Sequence, residues 1–196
     1  MTSSCNRPAL ILASASPRRR QLLAAAKLSF EAAESAIAEL RRDGEGARDY
    51  ALRMASEKAL AVSSSFPHAL VIGADTVVEC MGEVLEKPAD GDDARRMLTM
   101  LSGRTHTVIT AFAIARGREV LTLDAVESTV TFRALSAAEI NDYIASGEPF
   151  DKAGAYGIQG AGGGFISSLD GPRDNVMGLP VAEVLAALRR VGFVRC

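Results

Sequence analysis

Tryptophan is absent from the 196 residues, and histidine is reduced to His68 and His106. The three cysteines, Cys5, Cys80 and Cys196, are odd in number, far apart and form no C-x-x-C pair. Neither a zinc site nor a disulfide framework is supported by so few, so scattered ligands. Any metal here would be held by oxygen. An excess of one charge is missing too, since 22 basic against 24 acidic side chains leave a formal net charge of -2. With three tyrosines and seven phenylalanines besides, the chain lacks the basic field and the stacking platforms that a nucleic acid polymer needs. No apolar run approaches bilayer length. The short run over residues 9–15 leads into Pro17-Arg18-Arg19-Arg20 instead of a signal-peptide cleavage site. The expected setting is therefore cytoplasmic, with no membrane partner. There is no G-x-x-x-x-G-K-[ST] loop, G-x-S-x-G elbow or H-E-x-x-H pair, and Phe165 spoils a dinucleotide fingerprint at Gly162-Gly163-Gly164.

What is present is a chain of 48% apolar and 23% charged residues, long enough for one domain over 1–196 with a sizeable core. It is organised around Leu70-Val71-Ile72-Gly73-Ala74-Asp75-Thr76-Val77-Val78-Glu79, an apolar, β-branched run that predicts a buried strand. Asp75 in its middle is costly to bury unless a cation or donors satisfy it. Alternation places Asp75 on the face of Gly73 and Thr76 on the other. The small Gly73 leaves room there for a metal or a phosphate; an aspartate capping a turn is the plainer alternative.

Residues 9–13 predict a first buried strand. Ser14-Ala15-Ser16-Pro17 then turns into a helix with Ser16 as N-cap and Pro17 in its first position. Arg18, Arg19 and Arg20 lie in the first turn, where cations oppose the helix dipole. An anion held by backbone N–H groups, the Ser14 or Ser16 hydroxyls and the guanidinium forks would account for them; a solvated basic turn is the alternative. A helix over 47–62 buries Tyr50, Met54, Ala55, Ala59 and Val62, and its Lys58 reads by itself as solvated. Asp90 caps a helix to Leu101, strands follow over 105–114, 120–123 and 128–132, and Ser136 with Glu139 forms a capping box for a helix to Ala145. A short strand over 165–169 and a helix over 179–190 complete the chain, separated from what precedes by the glycine-rich 148–164 segment.

Five segments in register resemble the Maf family of nucleoside triphosphate pyrophosphatases: Leu12-Ala13-Ser14-Ala15-Ser16-Pro17-Arg18-Arg19-Arg20, Gly73-Ala74-Asp75-Thr76-Val77-Val78, Glu86-Lys87-Pro88, Leu101-Ser102-Gly103-Arg104-Thr105-His106 and Asp151-Lys152-Ala153-Gly154-Ala155-Tyr156-Gly157-Ile158-Gln159-Gly160. The resemblance implies an α/β fold, an elongated bent mixed β-sheet flanked by helices, with two lobes about a central cleft as in the inosine triphosphate pyrophosphatases. It implies hydrolysis of a nucleoside triphosphate, to monophosphate and pyrophosphate, with a divalent cation, Mg²⁺ or Mn²⁺, and the removal of unwanted nucleotides. By position, Asp75 matches the family's proton acceptor. Arg18, Thr76 and Gln159 match positions that set the substrate subclass, and their combination resembles the dTTP and UTP subclass; the 7-methyl-GTP subclass and a nucleotide sensor without turnover are the alternatives. Arg19, Lys58 and Lys87 match phosphate-binding residues, to which Ser14 and Arg18 add their donors. Glu39 matches an acidic residue placing it with Asp75 as a candidate metal ligand, although Ala38 stands where an aspartate usually precedes it. Asp75 is base, metal ligand or both on this reading, the basic residues are expected to have ligand rather than protein as partner, and a homodimer is left open.

Overall fold

The computed structural model describes residues 8–193, so Cys5 and Cys196 lie outside the described residues. In chain order the elements are β1 (Leu10–Leu12), α1 (Pro17–Ala25), β2 (Glu31–Ala32), α2 (Ala47–Ser63), β3 (Leu70–Cys80), β4 (Glu83–Leu85), α3 (Gly91–Leu101), β5 (Thr105–Arg116), β6 (Glu119–Phe132), α4 (Ala137–Ala145), β7 (Ile166–Asp170), α5 (Arg173–Val176) and α6 (Val181–Arg190). The seven strands form one mixed sheet in the order β2-β1-β3-β5-β6-β7, with β4 also on β3. β1 runs parallel to β2 and β3, and every other pairing is antiparallel. The mixed sheet flanked by helices is the expected class. No helix of the described residues is long and apolar enough to cross a membrane.

β3 is central because both of its faces are covered, which is why it reads as a continuous apolar run. Val71 and Val77 face α2, while Leu70, Ile72 and Ala74 pack with Leu23 of α1 and Val184, Ala187 and Leu188 of α6. Further along that second face, Val78 and Cys80 join Leu98 of α3 and Ile140 of α4. The second face thus carries two apolar clusters, with Thr76 at the position between them. Gly73 has a different use from the one expected. A Cβ there would lie 2.3 Å from the Ala55 carbonyl oxygen and 2.6 Å from the Ala59 nitrogen, so the missing side chain admits the backbone of α2, not a ligand.

Local signals hold at most boundaries. Ser16, Asp90 and Ser136 each accept the expected capping hydrogen bond, and Ser136 with Glu139 completes the box. Met81 and Gly82 both take positive φ, as the tight β3–β4 hairpin demands. β6 is one continuous strand where two segments were expected, bent by irregularities near Ala115 and Phe132. Phe165 ends a 3-10 turn rather than opening β7, and the last helix starts at Val181. Two short elements, β2 and α5, have no counterpart among the expected ones.

Candidate active site

β3 offers β5 a ladder along nearly its whole length, but its other edge is shared. β1 pairs with residues 70–72 and β4 with residues 78–80, which leaves residues 73–77 without a strand on that side. A cleft of about 580 Å³ opens at this gap. It is lined by Ser14, Arg18, Arg19, Glu39, Lys58, Asp75, Thr76, Lys87 and Gln159, so every site residue implied by the family resemblance borders one cavity.

Asp75 and Lys58 are its innermost charges, only 7% and 5% exposed. Lys58 Nζ donates to Asp75 Oδ1 at 2.6 Å and lies 2.8 Å from Glu39 Oε1. The reading of Lys58 as a solvated helical lysine is therefore corrected, as is the expectation that its partner is ligand alone. α2 turns this side chain toward the sheet because Ala55 and Ala59, on the same helical face, are small enough to let the helix approach. Burial pushes the Asp75 carboxyl above its ordinary range; Lys58 and Arg19 oppose that, and Glu39 adds to it. Glu39 behaves oppositely. Its partial burial acts to raise it, but the hydrogen bond and charge of Lys58, then Lys87 at 3.5 Å, hold it below the usual carboxylate range. Lys87 itself stands at the mouth, its side chain 60% exposed.

The arginine turn divides its labour. Arg19 reaches inward, donating from Nε to the Gly178 carbonyl at 2.7 Å and from Nη2 to Thr76 Oγ1 at 3.1 Å, with Ser14 Oγ at 3.4 Å from Nη1. Burial lowers its pKa, while Asp75 and then Glu39 pull it back up and Arg18 lowers it further. Arg18 crosses the cleft to Asp151 Oδ2 at 2.9 Å. Arg20 is exposed, bonds the Ala15 carbonyl and does not border the cleft, so the arginine run contributes two cations rather than three. Ser14 is buried and already accepts the Ser16 N–H at 3.1 Å. Thr76 shares its hydroxyl with Arg19 and with Thr110, 2.9 Å away. Gln159 lies exposed on the facing loop, its side-chain amide without a hydrogen-bond partner among the described residues.

Several contributors escaped the sequence reading. Asp151 ties Arg18 to the loop and also pairs with Lys152 at 2.6 Å. Thr110 links Thr76 to the Asn175 carbonyl. Gly178, at φ +110, a backbone conformation that favours glycine, brings its carbonyl onto Arg19. The sequence signal for Thr110 is weak, a hydroxyl within the otherwise apolar 108–114 stretch of its strand.

As a cation site, the cleft offers two carboxylates, Asp75 and Glu39, converging on Lys58 Nζ. No cluster of three or more His, Cys, Asp or Glu capable of holding a metal occurs among the described residues. The donor set therefore suits a hard cation that keeps most of its water and takes one or two carboxylates plus phosphate oxygens, not a closed protein cage.

Comparison with known proteins agrees with the motif reading. The chain is 53% identical over 189 residues to a protein of Anaeromyxobacter dehalogenans named dTTP/UTP pyrophosphatase, covering 95% of each. It is 50% identical over 184 residues to a Myxococcus xanthus protein of the same name, covering 94% of this chain and 93% of that one. A solved nucleoside-triphosphatase, a dITP/XTP pyrophosphatase from Mycobacterium abscessus, aligns over 92% of this chain and 93% of its own with a TM-score of 0.43 and 16% identity. The family model described as Maf-like protein matches residues 9–191, a span that takes in all five motif segments and every charged group of the cleft. With the motifs, their order and this match in agreement, the chain belongs to the Maf family.

Proposed function

We propose that the protein hydrolyses dTTP and UTP to the monophosphate and pyrophosphate. The observation that carries the reading is a buried carboxylate, Asp75, at the floor of a cleft that five cations border: Arg18, Arg19, Lys58, Lys87 and, paired with Asp151 on the facing loop, Lys152. Water attacks the α-phosphorus, the bond to the bridging oxygen breaks, and pyrophosphate leaves. Asp75 accepts the proton from that water. Its raised pKa makes it a stronger base than an exposed aspartate, and the Lys58 ammonium fixes its orientation. Arg19, braced by Gly178 and Thr76, stabilises with Arg18 and Lys87 the charge on the departing phosphates. Ser14 adds a hydroxyl beside them. Asp75 and Glu39 would hold a divalent cation, Mg²⁺ or Mn²⁺, whose contribution when bound is to neutralise the triphosphate and polarise the phosphoryl oxygens.

Base choice falls to the loop. The Gln159 amide carries a donor and an acceptor, matching the O4 and N3–H edge of uracil or thymine. Thr76 acts on specificity at one remove, since its hydroxyl is spent on Arg19 and Thr110. Pyrophosphate release from dTTP, UTP and 7-methyl-GTP tests the whole reading. The two pyrimidine nucleotides are expected to have much the higher kcat/KM; orthophosphate as product, or full activity in excess chelator, overturns it.

A further inference from the structure

Gln159 sits on a loop anchored by three side chains outside the cleft lining: Arg173 donates to the Ile158 carbonyl at 3.1 Å, and Tyr143 and Glu148 hold the backbone on either side. Tyr143, on α4, donates its hydroxyl to Glu148 Oε1 at 2.9 Å and accepts the Gly157 N–H at 3.1 Å. Glu148 Oε2 in turn accepts the Ala161 N–H at 3.1 Å. The two anchored amides thus flank Gln159, each two residues away. Two glycines of the segment, Gly160 and Gly162, follow from the same brace. A Cβ on Gly160 would fall 2.1 Å from Glu148 Oε1, and one on Gly162 would fall 2.7 Å from the Tyr143 hydroxyl. The loop is wrapped around one carboxylate and one phenol, with no room for side chains on its inner surface. Burial, then the hydrogen bond to Glu148, raises the Tyr143 hydroxyl, so it stays a donor.

We propose that Tyr143 and Glu148 are positioning residues for base recognition: they hold the Gln159 amide in the orientation that pairs with a pyrimidine edge, and they touch no substrate themselves. The assignment rests on the pyrimidine triphosphate reading above. Its selective content is that the pair acts through Gln159 and not on phosphate binding, which belongs to the other wall of the cleft.

The test is a double-mutant cycle on the full chain. The probes are UTP and ATP analogues with a methylene between the α- and β-phosphorus, titrated by calorimetry, together with kcat and KM for UTP. Tyr143→Phe keeps the ring that packs edge-on against Phe165 and removes only the hydroxyl. It should raise the Kd of the uridine analogue about tenfold, the value of roughly one hydrogen bond. The Kd of the adenosine analogue should stay the same, and KM for UTP should rise with kcat retained. Glu148→Ala should do likewise, and Glu148→Gln, which keeps one acceptor oxygen, should recover most of the affinity. In a Gln159→Ala background none of these substitutions should cost anything further. An equal loss for both analogues, or an undiminished loss without Gln159, overturns the proposal. If Glu148→Ala fails to fold, Tyr143→Phe decides alone. A wild-type protein that binds the uridine analogue but releases no pyrophosphate defeats the hydrolase reading, while the Kd cycle still judges the brace.

Discussion

On the wall of the cleft formed by α1, α2 and β3, charged groups stand on regular elements and are shielded from water. On the facing wall, residues 147–164, the polar groups stand on 3-10 turns and a glycine-rich loop. Lys58 is pinned by Asp75 and Glu39, Asp75 by Lys58, and both are almost fully buried. Gln159 and Asp151 lie open to solvent at the rim. The difference matches what each wall is asked to do. Phosphoryl chemistry gains most from dipoles and charges that need not reorganise, and rigid elements supply these. Base reading needs an amide at a particular angle, which a loop can present and a braced loop can present reproducibly.

The largest effect should come from breaking the rigid wall at its centre. Asp75→Asn is nearly isosteric, removes charge and basicity, and should lower kcat by about a hundredfold or more. Base discrimination should be unchanged, because the other wall is untouched. Steady-state kinetics with dTTP and UTP decide it; near-normal turnover would move the base elsewhere, first to Glu39.

Next in size is a contrast within the same wall. Lys58→Ala leaves Asp75 buried without its cation, a change that costs about 3–5 kcal/mol in comparable pairs. Lys87→Ala removes an exposed side chain and should shift stability by no more than about 0.5 kcal/mol. Both should impair phosphate binding, so thermal melts beside kinetics separate fold from function. Equal melts for the two variants would mean that Lys58 is not holding the floor of the cleft.

The smallest effect sharpens what lies behind the loop. His106 Nε2 shares a 2.8 Å hydrogen bond with the hydroxyl of Tyr156, which borders the cleft, and burial lowers the His106 pKa from 6.5 to about 4. Between those values the unfolded chain binds a proton that the folded chain refuses. Stability from this group is complete above pH 6.5 and is lost as pH falls toward 4, with a slope of up to about 1.4 kcal/mol per pH unit. Denaturant titrations from pH 7 to 5 should show a weaker pH dependence in His106→Phe than in the wild type.

How much of this could be read beforehand depended on distance along the chain. The strand carrying Asp75, the alternation that separates it from Thr76, and the Ser16, Asp90 and Ser136 caps are all local, and all were legible. The segments resembling the family supplied the rest of the site, because what joins Arg18 to Asp151 is a contact across 133 residues. Lys58 was legible as a residue of α2, but a helical lysine reads as solvated until its carboxylate partners are known. Gly73 was read for the space it leaves, yet space beside a strand is claimed by whichever element packs closest, here α2. Thr110 could not be paired with Thr76 without the β3–β5 register, and that register is set by the whole sheet.

The hydrogen bond from Arg19 to the Gly178 carbonyl spans 159 positions. During synthesis the residues proposed to grip phosphate are therefore made early and completed late. Until Gly178 has emerged, a growing chain holds the Asp75 floor without the carbonyl that braces Arg19, and a chain ending before residue 148 also lacks the loop that carries Gln159. Domains generally fold as units, and non-local pairings form last. No truncated product ending before Gly178 should therefore consume the cell's nucleotides, and the catalyst becomes competent only when nearly the whole polypeptide exists.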